Sequence, residues 1–222
     1  MRGRFITFEG GEGTGKSTHA GMLAQRLRTF GIGIVLTREP GGSPGAEIIR
    51  HVLLSGAAKP LGAEAETILF AAARDDHVRT TIEPALARGR WVICDRFIDS
   101  TRVYQGVLGK VEPAFIKGLE RLTLDGLKPD LTFILDVPAD VGLARAKQRR
   151  GDGDADRFES ESLAYHQKLR EAYCALAERE PERCVLIDAT ESRVKVAMQL
   201  WNVVAERLDP ATAPVMLDGV AS

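Results

Sequence analysis

The stretch FEGGEGTGKSTHA, residues 8–20, carries the pattern GxxxxGK[ST] on Gly10, Gly15, Lys16 and Ser17. The chemistry this suits is the holding of polyphosphate. Glycines let the chain curl so that successive N–H groups point inward, and a helix beginning at Lys16 aims its positive dipole end at the same place. In the loop formed by Gly10, Gly11, Glu12, Gly13, Thr14, Gly15, Lys16, Ser17 and Thr18, Lys16 has the reach for the outer phosphates of a nucleoside triphosphate, and the Ser17 hydroxyl suits Mg²⁺. Glu12 is the odd member, an acid in a loop built for anions. It either points to solvent or faces something other than the triphosphate.

A second candidate group lies in CDRFIDSTRVYQG, residues 94–106. Asp95 closes the apolar run WVIC, and in a parallel sheet it stands at the carboxyl end of a strand, where α/β proteins bind ligands. There it can ligate Mg²⁺ directly or through water. Arg96 can clamp phosphate with two parallel N–H bonds. The plainer alternative is an Asp–Arg surface pair capping a loop. A GTPase would need an NKxD guanine reader, but Asn202 is the only asparagine, and no aspartate opens a DxxG switch. LLSGAAKP, residues 53–60, shares only its first letters with an ABC-type signature. A small kinase and a nucleotide-binding module without chemistry remain.

The elements that must position these residues are legible as alternating runs. Strands are expected over 4–9, 34–38, 90–95, 131–137 and 184–188, each short and nearly continuous in apolar residues, as strands buried on both faces are. Ala20, Leu23, Leu27 and Phe30 recur at helical spacing after the loop, with Gly31 as a stop. Further helices are expected over 44–54, 63–88, 113–125, 139–149, 159–179 and 194–207. This alternation predicts a mostly parallel sheet covered on both faces. A Gly/Asp/Arg-rich lid is expected over about 149–158, in a single domain spanning 1–208, with a frayed tail over 209–222.

Thirty basic against thirty-one acidic residues leave a net charge of −1, which argues against a general nucleic-acid or membrane-surface binder. Cys94, Cys174 and Cys184 are odd in number and widely spaced, which suits reduced thiols rather than zinc or a disulfide framework. No apolar run has the length of a signal peptide or a bilayer span, and the chain is expected in the cytoplasm.

Taken in order, FEGGEGTGKST, TREPGG, FAAARDDH, DRFIDSTRVYQG and KPDLTFILDV resemble the bacterial thymidylate kinases over nearly the whole chain. The resemblance implies a three-layer P-loop kinase fold with a five-stranded parallel sheet and a short lid. It implies ATP and dTMP as substrates, Mg²⁺ as cofactor and a homodimer, with the long 63–88 helix a possible interface. It places Phe70 on the thymine ring and Arg74 at a thymine carbonyl; in isolation these would read as a core aromatic and a solvated helix charge. Thr101 and Gln105 fall at the pyrimidine edge, Tyr104 against the sugar, and Glu12 on the acceptor. Arg38 and Arg50 are candidates for the acceptor phosphate. Lys16, Arg96 and a lid arginine, Arg149 or Arg150, would stabilise charge on the transferring group, with Arg157 a third candidate. Lys16 is expected on a solvent-facing loop. Some relatives carry an arginine where this chain has Gly13, so an arginine placed there is expected to replace the lid charge in part. Phe97, Arg102 and Val103 depart from residues common in the family.

Overall fold

Five apolar runs form one all-parallel sheet: β1 (Phe5–Glu9), β2 (Ile34–Arg38), β3 (Trp91–Asp95), β4 (Leu131–Asp136) and β5 (Cys184–Asp188), in the order β2-β3-β1-β4-β5. The computed structural model describes residues 2–151 and 157–213. Around the sheet run α1 (Lys16–Arg28), α2 (Pro44–Leu54), α3 (Ala63–His77), α4 (Glu83–Ala87), α5 (Ile98–Thr101), α6 (Pro113–Leu124), α7 (Ala139–Arg150), α8 (Leu163–Arg179) and α9 (Arg193–Leu208).

Strand side chains alternate between faces, and the two faces build two cores. Ile6, Phe8, Trp91, Ile93, Leu131 and Phe133 bury against Leu23 and Leu27 of α1 and Val196, Leu200 and Val204 of α9. Phe5, Val92 and Cys94 turn the other way, onto Val78, Ile82, Leu86, Phe97 and Leu124. Ile134 on that second face packs with Leu169, Tyr173 and Leu176 of α8. The result is the expected three-layer α/β arrangement. The edge strands depart from the expectation of burial on both faces, because each has a neighbour on one side only: Leu36 of β2 and Leu186 of β5 are exposed.

Two helical stretches are wider than the ideal. The long helix expected over 63–88 is α3 and α4 joined by a π-helical segment, Val78–Ile82. Pro84 has no N–H to give to the carbonyl four residues back, which accounts for a loosened turn there. A second π-helical segment, Arg102–Leu108, extends α5 and carries Tyr104 and Gln105. Residues 152–156 of the expected lid and 214–222 of the expected tail lie outside the described residues. The first tail residues, Pro210–Thr212, form a 3₁₀ turn with Pro210 buried.

Candidate active site

β1 delivers the chain into the phosphate loop, and the loop's conformation is set by glycine. Gly10, Gly13 and Gly15 have φ of 128°, 67° and 91°, in the region that side chains disfavour. A Cβ on Gly10 would collide with Leu135 O of β4. A Cβ on Gly13 would overlap Gly142 O and lie 2.8 Å from Gly142 C in the first turns of α7. This overturns the expectation that an arginine at Gly13 would fit. The loop is packed backbone to backbone against α7, which leaves no room for a side chain.

Lys16 also departs from expectation. It is buried rather than facing solvent, and its Nζ donates to Gly11 O at 2.6 Å and Gly10 O at 3.2 Å. Burial, together with nearby Arg96, lowers its pKa to about 8, against the pull of Glu12 and Asp95. Thr14 closes the loop by donating to Gly11 O at 3.1 Å. Ser17 at the start of α1 hydrogen-bonds Asp95 at the end of β3.

Asp95 and Arg96 are therefore not a mutual surface pair. Arg96 turns away into the loop, with a left-handed φ of 68° that its neighbours must hold in place. Its backbone N–H donates to Phe8 O at 2.8 Å. Its guanidinium donates to Gly10 O at 3.0 Å, Ser100 Oγ at 3.2 Å, Tyr173 Oη at 3.3 Å and Glu12 Oε1 at 2.6 Å. Tyr104 Oη also donates to Glu12 Oε1, at 3.3 Å. Glu12 is not in free solvent: its side chain is 15% exposed. Burial would raise its pKa, but Arg96, Lys16 and the Tyr104 hydroxyl outweigh burial and bring it down to about 2.

These residues open onto a cavity of about 360 Å³ that reaches from Lys16, Ser17 and Thr18 to Arg38, Arg50, Phe70, Arg74, Thr101, Tyr104 and Gln105. The sequence-expected phosphate and acceptor residues are thus brought to one hollow. Arg74 is buried, not solvated; its Nε donates to Glu39 at 2.7 Å and its Nη2 to Thr101 Oγ1 at 3.0 Å. Arg38 is more exposed and donates to both oxygens of Glu47, at 3.0 and 3.1 Å. Arg50 donates to Pro40 O at 2.5 Å.

On the lid side, Arg149 lines the cavity and reaches Glu159 at 3.3 Å. Arg150 also pairs with Glu159 and is absent from the cavity wall. Arg157 pairs with Glu66 of α3, across 91 residues of sequence. Phe158 stands 6.5 Å from the Phe70 ring and 5.2 Å, edge-on, from the Tyr104 ring.

The sequence reading missed Glu9. It is fully buried at the end of β1 and accepts from Phe97 N at 2.8 Å, Ser100 N at 3.2 Å, Ser100 Oγ at 2.7 Å and Tyr173 Oη at 3.0 Å. Burial and the nearby charge of Asp99 push its pKa up to about 7, against Arg96 and the donated hydrogen bonds. Glu9 thereby ties α5, and with it Arg96, to the base of the phosphate loop. Its signal was available: like Asp95, it is an acid at the carboxyl end of a buried strand. Glu39 offered a similar signal, just past the carboxyl end of β2 and inside TREPGG, whereas Glu66 and Glu159 gave none.

Among the described residues no cluster of three or more His, Cys, Asp or Glu could hold a metal alone, and no helix is long and apolar enough to cross a membrane. The Ser17 and Asp95 oxygens are hard donors beside the phosphate loop, as a Mg²⁺ shared with phosphates requires.

The thymidylate kinase family model matches residues 8–200. Thymidylate kinase of Bradyrhizobium diazoefficiens is 61% identical over 215 residues, 97% of this chain and 94% of its own. That of Nitrobacter winogradskyi is 61% identical over 213 residues, 96% of this chain and 93% of its own. The crystal structure of thymidylate kinase from Ehrlichia chaffeensis superposes with a TM-score of 0.74 at 32% identity, covering 92% of this chain and all of that one. A phosphate loop joined by a single cavity to the matched motifs, and relatives of this identity along nearly the full length, place the chain in the thymidylate kinase family.

Proposed function

We propose that the protein transfers the γ-phosphoryl group of ATP to the phosphate of dTMP, giving ADP and dTDP. The observation that carries this reading is the one cavity joining Lys16 and Ser17 to Phe70, Arg74 and Tyr104. The attacking oxygen belongs to a phosphate already ionised at neutral pH, so the reaction needs no strong general base. What it needs is alignment and neutralisation of charge on the transferring group. Lys16 exchanges the carbonyls of Gly10 and Gly11 for phosphate oxygens. Arg96 faces the acceptor phosphate, its position held by Glu12, Ser100 and Tyr173. Arg149 supplies positive charge from the lid, and its place on the cavity wall favours it over Arg150.

Ser17 and Asp95 would hold Mg²⁺, which offsets phosphate charge when bound. Phe70 stacks on the base, Arg74 and Thr101 address its edge with Gln105 beside them, and Tyr104 fills the space next to the sugar. Arg38 and Arg50 stand at the acceptor-phosphate end. The functional unit is a homodimer: Ile48 and Val52 of α2 and Ile68 of α3, on two helices packed together, are exposed apolar residues that a partner would cover.

The test is ADP formation in a coupled assay over a panel of monophosphates. Turnover should be fastest with dTMP. Faster turnover with another monophosphate would reassign the substrate, and ATP binding without acceptor-dependent turnover would leave a binding module.

A further inference from the structure

TREPGG and FAAARDDH are the two motifs that the reaction leaves largely unexplained. Only Arg38, Phe70 and Arg74 among them have a part in the proposed chemistry. The remaining residues interlock. Glu39 is 4% exposed and sits between Arg74 (3%) and His77 (0%). One carboxylate oxygen accepts from Arg74 Nε at 2.7 Å, and the other meets His77 Nδ1 at 3.1 Å. His77 Nε2 meets Thr37 Oγ1 at 2.8 Å. A carboxylate can only accept, so His77 Nδ1 carries a proton and donates to Glu39, while the Thr37 hydroxyl, able to donate or accept, partners Nε2. Gly42 passes directly over this pair: a Cβ there would lie 2.8 Å from His77 Cδ2 and collide with Thr37 Oγ1. Asp76, next to His77, accepts from Ser43 Oγ at 2.6 Å and Ala46 N at 3.1 Å, which clamps α3 to the start of α2.

We propose that Glu39, braced by His77 and Thr37, is a positioning and specificity-determining residue that acts through Arg74. This rests on the reading of Arg74 as the residue that addresses the base. Arginine has a long, rotatable side chain, and a single contact at its tip would leave the guanidinium plane free to turn. Here the plane is fixed at two edges, Nε by Glu39 and Nη2 by Thr101 Oγ1 and, at 3.3 Å, Phe97 O. Both Glu39 oxygens are engaged in this way, one by Arg74 and one by His77. What the cavity receives is a rigid set of N–H donors. A pyrimidine with a carbonyl at C4 satisfies such donors. A pyrimidine with an amino group at C4 brings donor against donor and leaves buried polar groups unpaired, the kind of mismatch that discriminates strongly. A guanidinium free to swing aside would lose that discrimination. Glu39 therefore controls the choice between thymine and cytosine without touching either.

The experiment compares Glu39→Gln, Thr37→Val, Arg74→Ala and the Glu39→Gln/Arg74→Ala double variant by steady-state kinetics with ATP, dTMP and dCMP. Glu39→Gln should raise KM for dTMP by about tenfold or more, the scale of one hydrogen bond to a charged group. KM for ATP should stay unchanged, and the dTMP-to-dCMP ratio of kcat/KM should fall by a similar factor. Thr37→Val, two bonds removed, should move the same quantities a few-fold in the same direction. In the Arg74→Ala background, Glu39→Gln should add less than about twofold, because coupled residues are not additive. A purely structural Glu39 would give additive losses and an unmoved ratio, which overturns the proposal. If Glu39→Gln does not fold by circular dichroism, Thr37→Val decides: a wild-type KM for dTMP and ratio in that variant also overturns it. If Arg74→Ala itself leaves KM for dTMP unchanged, the reading of the base site fails first.

Discussion

Gly13→Ala adds one methyl group and tests how the site is assembled. The loop and α7 meet here backbone to backbone. The new Cβ would sit 2.8 Å from Gly142 C and 3.1 Å from Ala146 N, and would overlap Gly142 O, where ordinary contact begins at 3.4 Å. Neither neighbour is a flexible side-chain tip, so the first turns of α7 must withdraw by roughly 1 Å, and overpacking of that kind costs about 1–3 kcal/mol. A φ of 67° adds about 1–2 kcal/mol for a residue with a Cβ. A total of roughly 2–5 kcal/mol lowers Tm by on the order of 4–20 °C in a chain of this size. The kinetic effect should be larger in proportion. α7 carries Arg149 at its far end, and a misplacement of about 1 Å can cost roughly 10²-fold in rate. The assay is kcat beside Tm by calorimetry, with Gly11→Ala and Gly21→Ala as references. Gly11 would meet only Leu169 Cδ2, at 3.8 Å, and Gly21 nothing within 4 Å. If Gly13→Ala keeps kcat within threefold and Tm within about 2 °C of wild type, the packing argument is wrong, and an arginine at Gly13 becomes feasible again.

Arg149→Ala should lower kcat by on the order of 10³-fold with little change in either KM, and Arg150→Ala should do far less, since a lid cation acts mainly in the transition state; equal losses in the two variants would refute the assignment from the cavity wall. Glu9→Gln should change how stability depends on pH. With a native pKa of about 7 against the usual 4.5, folded Glu9 keeps a proton that the unfolded chain has lost, so wild type loses stability as pH rises through that window, by at most about 3 kcal/mol. Urea titrations at pH 5 and pH 8 should show wild type weakening relative to the variant, and a constant difference between them would refute the buried-acid argument.

Much of the fold was legible because both signals behind it are local. β2 and β5 match their expected bounds, and α2 does as well. The segment from α5 through Leu108 gave no such signal. Its face toward the cavity carries Thr101 and Gln105, buried polar residues that break the apolar period on which a helix assignment relies. Within the site, residues whose types announce phosphate chemistry were readable one at a time. Their partners were not. Glu9 meets Tyr173 across 164 residues, and Glu66 meets Arg157 across 91. Such pairs are set by which helices the sheet brings together, and a single sequence does not state that. The expected freedom of Lys16 failed for the same reason: nothing local shows a lysine folded back onto its own loop.

That folded-back lysine also explains the acid in the phosphate loop. Lys16 and Arg96 lie together in a buried pocket, where two unpartnered cations would be costly. Each is held by acceptors that belong to the loop. Lys16 rests on Gly10 O and Gly11 O, and Arg96 on Gly10 O and Glu12. Among the described residues, Glu12 is the acid whose carboxylate pairs directly with Arg96, and the charges of Arg96 and Lys16 hold its pKa low. In the proposed reaction a polyphosphate replaces neutral carbonyls around Lys16, so the exchange gains charge–charge attraction and gives up only hydrogen bonds to the backbone. Arg96 needs no such exchange. Glu12, Ser100 and Tyr173 fix its direction from one side and leave its orientation set before any substrate arrives. An acid that repels the incoming phosphate somewhat is tolerable if it fixes the arginine that receives it, because preorganised charge needs no rearrangement at the moment of transfer.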